Sequence, residues 1–288
     1  MPPIHTAALT AAGRIAAIRT AFPAGGLFQD KEWVLSPEPF ALDEKPTRII
    51  GSLGPALLAF QRACNRLYFE SAAGREQPWV AKLLDQGKPQ RVIDLGRRAA
   101  WRDELPRVIR PDLVLTENGV CISELGSIPG GIGLTAWLNQ TYSALGDDVI
   151  GGARGMIDGF AAAFPGEDIL ISRESGDYQP EMEWLAAQLG DRRVIRDEAW
   201  SRERGAGRGF YRFFELFDLE NVRHSDEMLR LALSDEFRFT PPPKAFLEEK
   251  LWLALFWVPQ LESWWTDTLN TEHWTVLRQC IPFGWVMN

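Results

Sequence analysis

Glu124, Ser127 and the glycines Gly130, Gly131 and Gly133 follow one another between an apolar run and a helical pattern. In that order, these residue types make an anion site. Free backbone N–H groups and the helix dipole favour negative charge where a strand leads into a helix, and glycine lets a ligand come close to the backbone. Glu124, at the end of the strand, is placed to hold a divalent cation, and such a metal would bridge phosphate oxygens. Arg110 lies on the partner strand, roughly level with Ser127. An arginine, a carboxylate and an anion-binding loop thus gather at one end of the sheet. The plainer alternative is a Gly-rich turn with a solvated Glu and Arg nearby.

Gly131-Ile132-Gly133-Leu134-Thr135-Ala136 also fits the G-x-G-x-x-G/A dinucleotide fingerprint. The strand before it lies in a hairpin, and no second strand ending in an acid follows about 20 residues later, as that fold requires. A nicotinamide dehydrogenase is disfavoured. His5, His224 and His273 are isolated, and neither a nucleophile elbow nor a P-loop is present.

The elements that position these groups are legible from periodicity. Residues 6–22 read as an amphipathic helix with Ile15 and Ile18 on one side, and residues 32–35 as a short strand. A stronger helix spans residues 53–72, with Leu57, Phe60, Cys64, Leu67 and Tyr68 facing the core. Residues 79–84 and 98–105 are short helices. Residues 108–116 and 120–125 are strands joined at Asn118-Gly119, a type I′ hairpin signal, and a helix follows from Leu134 to about Leu145. Residues 168–172, 179–189 and 193–195 form a β–α–β pattern suited to a parallel sheet. The acidic turn 177–181 either caps its helix or binds a ligand beyond the strand end. Residues 205–209 are a flexible turn, 210–216 a strand and 244–257 one long helix after three prolines. The late tryptophans, Trp252 and Trp257 among them, read as core rather than as a sugar-stacking surface.

A net charge of −8 gives no general pull toward nucleic acid or anionic membrane. The run Arg202-Glu203-Arg204 with Arg208 is short and mixed, a solvated loop. Cys64, Cys121 and Cys280 are too scattered for a disulfide framework or metal spacing, so they are expected as buried free thiols. The N-terminus lacks a signal-peptide pattern, and no apolar run approaches the ~20 residues of a membrane span. The expected location is the cytoplasm, with neither nucleic acid nor membrane as a partner.

Arg110-Pro111-Asp112, an apolar strand, a glycine turn and then Glu124-Leu125-Gly126-Ser127-Ile128-Pro129-Gly130-Gly131-Ile132-Gly133-Leu134-Thr135 resemble the circularly permuted ATP-grasp ligases, the glutathione synthetase and glutathionylspermidine synthetase group. In those enzymes ATP phosphorylates a carboxylate, and an amine displaces the phosphate to form an amide. The resemblance implies ATP and magnesium as cofactors and a small acid and an amine as substrates. It implies Glu124 as a magnesium ligand and Arg110 as the catalytic arginine at the acyl phosphate. Ser127, Gly130, Gly131 and Gly133 would form the substrate loop, and Arg212 would be a substrate-binding arginine.

The implied fold is α/β, with α+β as the alternative: a mixed sheet with flanking helices and an inserted small α/β substrate domain. The expected organisation is a lead-in over residues 1–48, an ATP-grasp-like portion over 49–164, and the inserted region with a helical tail over 165–288. Gly126 stands where the family has a metal-binding Asn or Asp. The family's lysine strand and glycine-rich lid follow the segment matching 281–286, so the chain is expected to be incomplete as a ligase and to need a C-terminal half or partner chain. The competing expectation is a non-catalytic small-acid or peptide binder on the same scaffold, using Arg110 and Arg212.

Overall fold

A computed structural model describes residues 9–27, 34–190, 192–205, 209–234, 236 and 238–286. Residues 32 and 33 of the strand expected at 32–35, the centre of the turn at 205–209, Arg208 and His5 lie outside the described residues, and Val34 and Leu35 are not in a strand. The fold is mixed α/β. By contacts the chain divides into two units, each drawn from separate stretches. A hairpin unit comprises Leu42–Ile128, Glu215–Phe217 and Thr240–Asn288, and a sheet unit comprises Met1–Ala41, Pro129–Phe214 and Asp218–Phe239. The boundaries expected at 48 and 164 do not coincide with this division, because the last part of the chain packs with the early helices.

The hairpin unit is built on the helix Glu44–Ala72. It starts earlier than the apolar pattern suggests because Asp43 and Glu44 open a polar first turn, which favours a helix N-terminus. Leu57, Phe60, Cys64, Leu67 and Tyr68 are buried on one face, as their spacing predicts. That face meets Val120 and Ile122 of the hairpin and Trp252, Leu255 and Trp265 of the late segment in one core. The hairpin pairs β1 (Arg110–Thr116) with β2 (Gly119–Gly126), antiparallel, with an irregularity between Asp112 and Leu113. Its turn is not type I′. Thr116 pairs with Gly119, Asn118 has no positive φ, and the positive φ (138°) falls on Gly119.

Residues 244–257 are not one helix. A 3-10 turn at Ala245–Glu248 and a short helix at Leu251–Leu255 are separated by Glu249 in an extended conformation. Tertiary contacts override the local pattern here. The Phe246 ring stacks on Tyr68 at 3.6 Å, and Trp252 Nε1 donates to the Phe246 carbonyl at 2.6 Å. The tryptophans divide: Trp252 and Trp265 are core, while Trp285 is 69% exposed.

The sheet unit carries four strands, β3 (Asp168–Ile171), β4 (Val194–Arg196), β5 (Gly209–Phe213) and β6 (Arg238–Thr240), in the order β4-β3-β5-β6. β3 runs parallel to both β4 and β5, and the helix Gln179–Gln188 connects β3 to β4, so the expected β–α–β unit is present. Every residue of β3 is buried, which is the signature of a parallel strand covered on both faces. The helix Ile132–Ala144 packs against Gln179–Gln188. The N-terminal helix Ala11–Ala21 is capped by Thr10 and seats Ile18 beside Trp137.

Candidate functional site

The Gly-rich loop does form an anion site at a helix N-terminus, and the anion is a side chain of this protein. Gly131 N–H donates to Glu181 Oε1 at 2.6 Å, and Leu134 N–H donates to Glu181 Oε2 at 3.0 Å. The Glu181 carboxylate is fully buried and takes two of the donors that a helix start leaves unpaired. The acidic turn 177–181 therefore caps a helix, but it caps the helix starting at Ile132 rather than its own. Gly131 is the N-cap and sits in the left-handed region at φ +83°, where glycine is the unstrained choice.

The other two glycines serve close packing. A Cβ on Gly133 would lie 2.2 Å from the Glu181 carbonyl oxygen, and one on Gly130 would lie 2.3 Å from Tyr178 Cε1. The G-x-G spacing thus lets the helix Ile132–Ala144 approach Gln179–Gln188 backbone to backbone.

The hairpin charges are also mutually engaged. Arg110 pairs with Gly126, and Asp112 with Glu124, across the two strands. Arg110 Nε donates to Asp112 Oδ1 at 2.9 Å, and Lys250 Nζ lies 2.8 Å from Glu124 Oε2. The Glu124 carboxylate raises the Lys250 pKa and so holds the ammonium form. This arrangement does not fit a magnesium site. Each of its two carboxylates has a cation beside it, Gly126 brings no donor, and no group of three His, Cys, Asp or Glu poised for a metal occurs among the described residues. Ser127 is buried. Arg212 is enclosed in β5 level with Leu170. Its Nη1 donates to the Phe214 carbonyl, and its guanidinium lies over the Phe214 ring at 5.5 Å. Arg110, Glu124 and Ser127 belong to the hairpin unit, whereas Gly130, Gly131, Gly133 and Arg212 belong to the sheet unit.

A sizeable opening lies elsewhere, within the hairpin unit. A cleft of about 1210 Å3 is lined by Trp79, Leu83, Ile93 and Val258, with Lys82 and Arg97 supplying positive charge. The short helices Trp79–Leu84 and Gln90–Gly96 form its walls. Asp85 and Arg97 line it, and buried Tyr68 stands behind them. Tyr68 OH donates to Asp85 Oδ1 at 2.6 Å, Arg97 Nε donates to the Tyr68 oxygen at 3.0 Å, and Arg97 Nη2 donates to Asp85 Oδ2 at 2.5 Å.

Burial and the Asp85 carboxylate push the Tyr68 hydroxyl well above its ordinary pKa, so it stays a donor. Burial opposes the Arg97 cation, but Tyr68 and Asp85 outweigh it and hold its pKa above the usual arginine value. No described residue accepts from Arg97 Nη1. Nothing in the spacing of Tyr68, Asp85 and Arg97 marks them as a group in the sequence: Tyr68 falls in the apolar stripe of its helix, and Asp85 and Arg97 are the C-caps of two short helices.

The three cysteines are free, and burial pushes the Cys64 and Cys280 thiols up, away from reactivity. No described helix is long and apolar enough to cross a membrane. No protein-family model matches the chain, and no curated protein matches it.

Proposed function

We propose that the chain is a binding protein for a small organic acid with an apolar body, held in the hairpin-unit cleft. The observation that carries this proposal is Arg97: a cation fixed by Tyr68 and Asp85, with Nη1 left over, on the wall of a cleft that also presents the apolar side chains of Trp79, Leu83, Ile93 and Val258. Pockets of this kind are mostly apolar with a few polar groups that fix orientation. The acid group would sit on Arg97 and Lys82, and its body on Trp79, Ile93 and Val258. Asp85 is consumed by its two donors, which limits its repulsion of an incoming carboxylate.

The test is a calorimetric titration with octanoate. Saturable binding is expected, with Arg97→Met weakening it at least about tenfold, roughly 1.4 kcal/mol. Lys82→Met, at an exposed position, should weaken it to a smaller degree without touching the Tyr68 network. Octan-1-ol, with the same body and no charge, should bind no better than octanoate binds the Arg97 variant. Failure of octanoate to bind, or binding indifferent to both substitutions, rejects the proposal.

An ATP-grasp carboxylate–amine ligase is the second proposal. It is supported by the sequence block from Arg110 to Thr135 and by the hairpin, loop and helix occurring in the order it requires. In that case ATP, magnesium, an acid and an amine would be the ligands, and a partner chain would supply further parts. Against it stand Glu181 on the loop amides and Lys250 on Glu124.

A further inference from the structure

We propose that a second, smaller pocket in the hairpin unit binds a phosphate dianion or the phosphoryl head of a small ester. The pocket, about 260 Å3, is lined by Arg62, Arg66, Arg102, Asn65, Glu70 and Asp103 among others. Arg62 and Arg66 lie one turn apart on the helix Glu44–Ala72, where like charges repel. Neither has a hydrogen bond or ion pair with any described residue. The Arg66 guanidinium lies over the Trp264 ring at 5.2 Å, and that of Arg102 over the Phe69 ring at 5.2 Å. Guanidinium groups held by aromatic faces keep their N–H forks available for planar, bidentate contact with phosphate oxygens.

A buried lysine holds Asn65, one of the residues lining the pocket. Lys244 is 1% exposed and donates to Asn65 Oδ1 at 2.8 Å, to the Arg102 carbonyl at 3.0 Å and to the Glu104 carbonyl at 2.6 Å. Asn65 Nδ2 donates in turn to the Arg102 carbonyl at 2.9 Å. Asn65 and the Arg102 backbone are therefore held in place. Two carboxylates face the pocket as well. Glu70 is claimed by Arg75, whose Nη2 donates to it at 2.9 Å, and lies 3.6 Å from Arg102. Asp103 has no ion-pair partner among the described residues and opposes an anion. Three arginines against one uncommitted carboxylate leave an excess of positive charge, in a space suited to a phosphoryl group and a short carrier.

The experiment titrates inorganic phosphate and, separately, glycerol 2-phosphate into the protein at neutral pH and constant ionic strength. Saturable binding of at least one is expected, weakened about tenfold or more by Arg66→Gln, the scale of a lost charged hydrogen bond. Asp103→Asn should tighten binding by about threefold by removing the opposing charge. Damage to the fold cannot produce both signs. Tighter binding of phosphate identifies a free oxyanion as the ligand, and tighter binding of the ester identifies a phosphorylated metabolite; both sustain the site. Binding of neither, or binding unchanged in both variants, overturns it.

Discussion

Gly133→Ala is expected to cost the protein about 3 kcal/mol or more of stability. The added Cβ would meet the Glu181 carbonyl oxygen at 2.2 Å and the Glu181 carbonyl carbon at 2.8 Å. Both are backbone atoms and cannot rotate away. The helices Ile132–Ala144 and Gln179–Gln188 would have to part, and parting them pulls the Glu181 carboxylate from the Gly131 and Leu134 N–H groups. A fully buried carboxylate losing charge-assisted bonds adds to the steric cost. Gly131→Ala meets nothing within 4 Å, so its cost is only the left-handed backbone at φ +83°, about 1–2 kcal/mol. Urea denaturation of the two variants checks this. Equal losses would mean that Gly133 has no special packing role.

The second large effect is a pH dependence set by Lys244. Burial pushes its pKa from 10.5 down to about 7, with the Glu104 and Asp103 carboxylates opposing the fall. Between the folded value near 7 and the unfolded value of 10.5, the unfolded chain holds more protons than the folded one. Stability contributed by this group therefore rises with pH through that window and is lowest below pH 7. The full rise is on the order of a few kcal/mol. Tyr68, raised in the folded state, acts oppositely above its ordinary value of 10, so the comparison belongs below pH 10. Unfolding free energies of wild type and Lys244→Met between pH 6 and about 9.5 isolate the term. The wild type should gain on the variant as pH rises; parallel curves would show that Lys244 does not titrate there.

Local pattern carried much of the architecture. The buried stripe of Leu57, Phe60, Cys64 and Leu67, the pairing of residues 110–116 with 119–126 and the β–α–β unit are each set by neighbours a few residues apart, so periodicity reveals them, although the turn type read from Asn118-Gly119 is not the one formed. The loop after Glu124 was legible as an anion site for the same reason. Its occupant was not, because Glu181 is brought to Gly131 only by the packing of two helices. Lys250 beside Glu124 and Lys244 beneath Asn65 are likewise tertiary events, since both come from a segment whose pattern reads as one continuous helix. Phe246 stacking on Tyr68 and the anchoring of Lys244 break that helix, against its local preference. The cleft around Arg97 draws on residues from Ser71 to Val286, a spacing with no motif to announce it.

The loop amides that would otherwise take a phosphate are held by Glu181, and the carboxylate that would hold magnesium is held by Lys250. Calorimetric titration of magnesium–ATP into the protein tests this most directly. No magnesium-dependent saturable binding is expected from the wild type, and Glu124→Ala should leave the titration unchanged. Magnesium-dependent, saturable ATP binding that Glu124→Ala abolishes would contradict the account and favour the ligase.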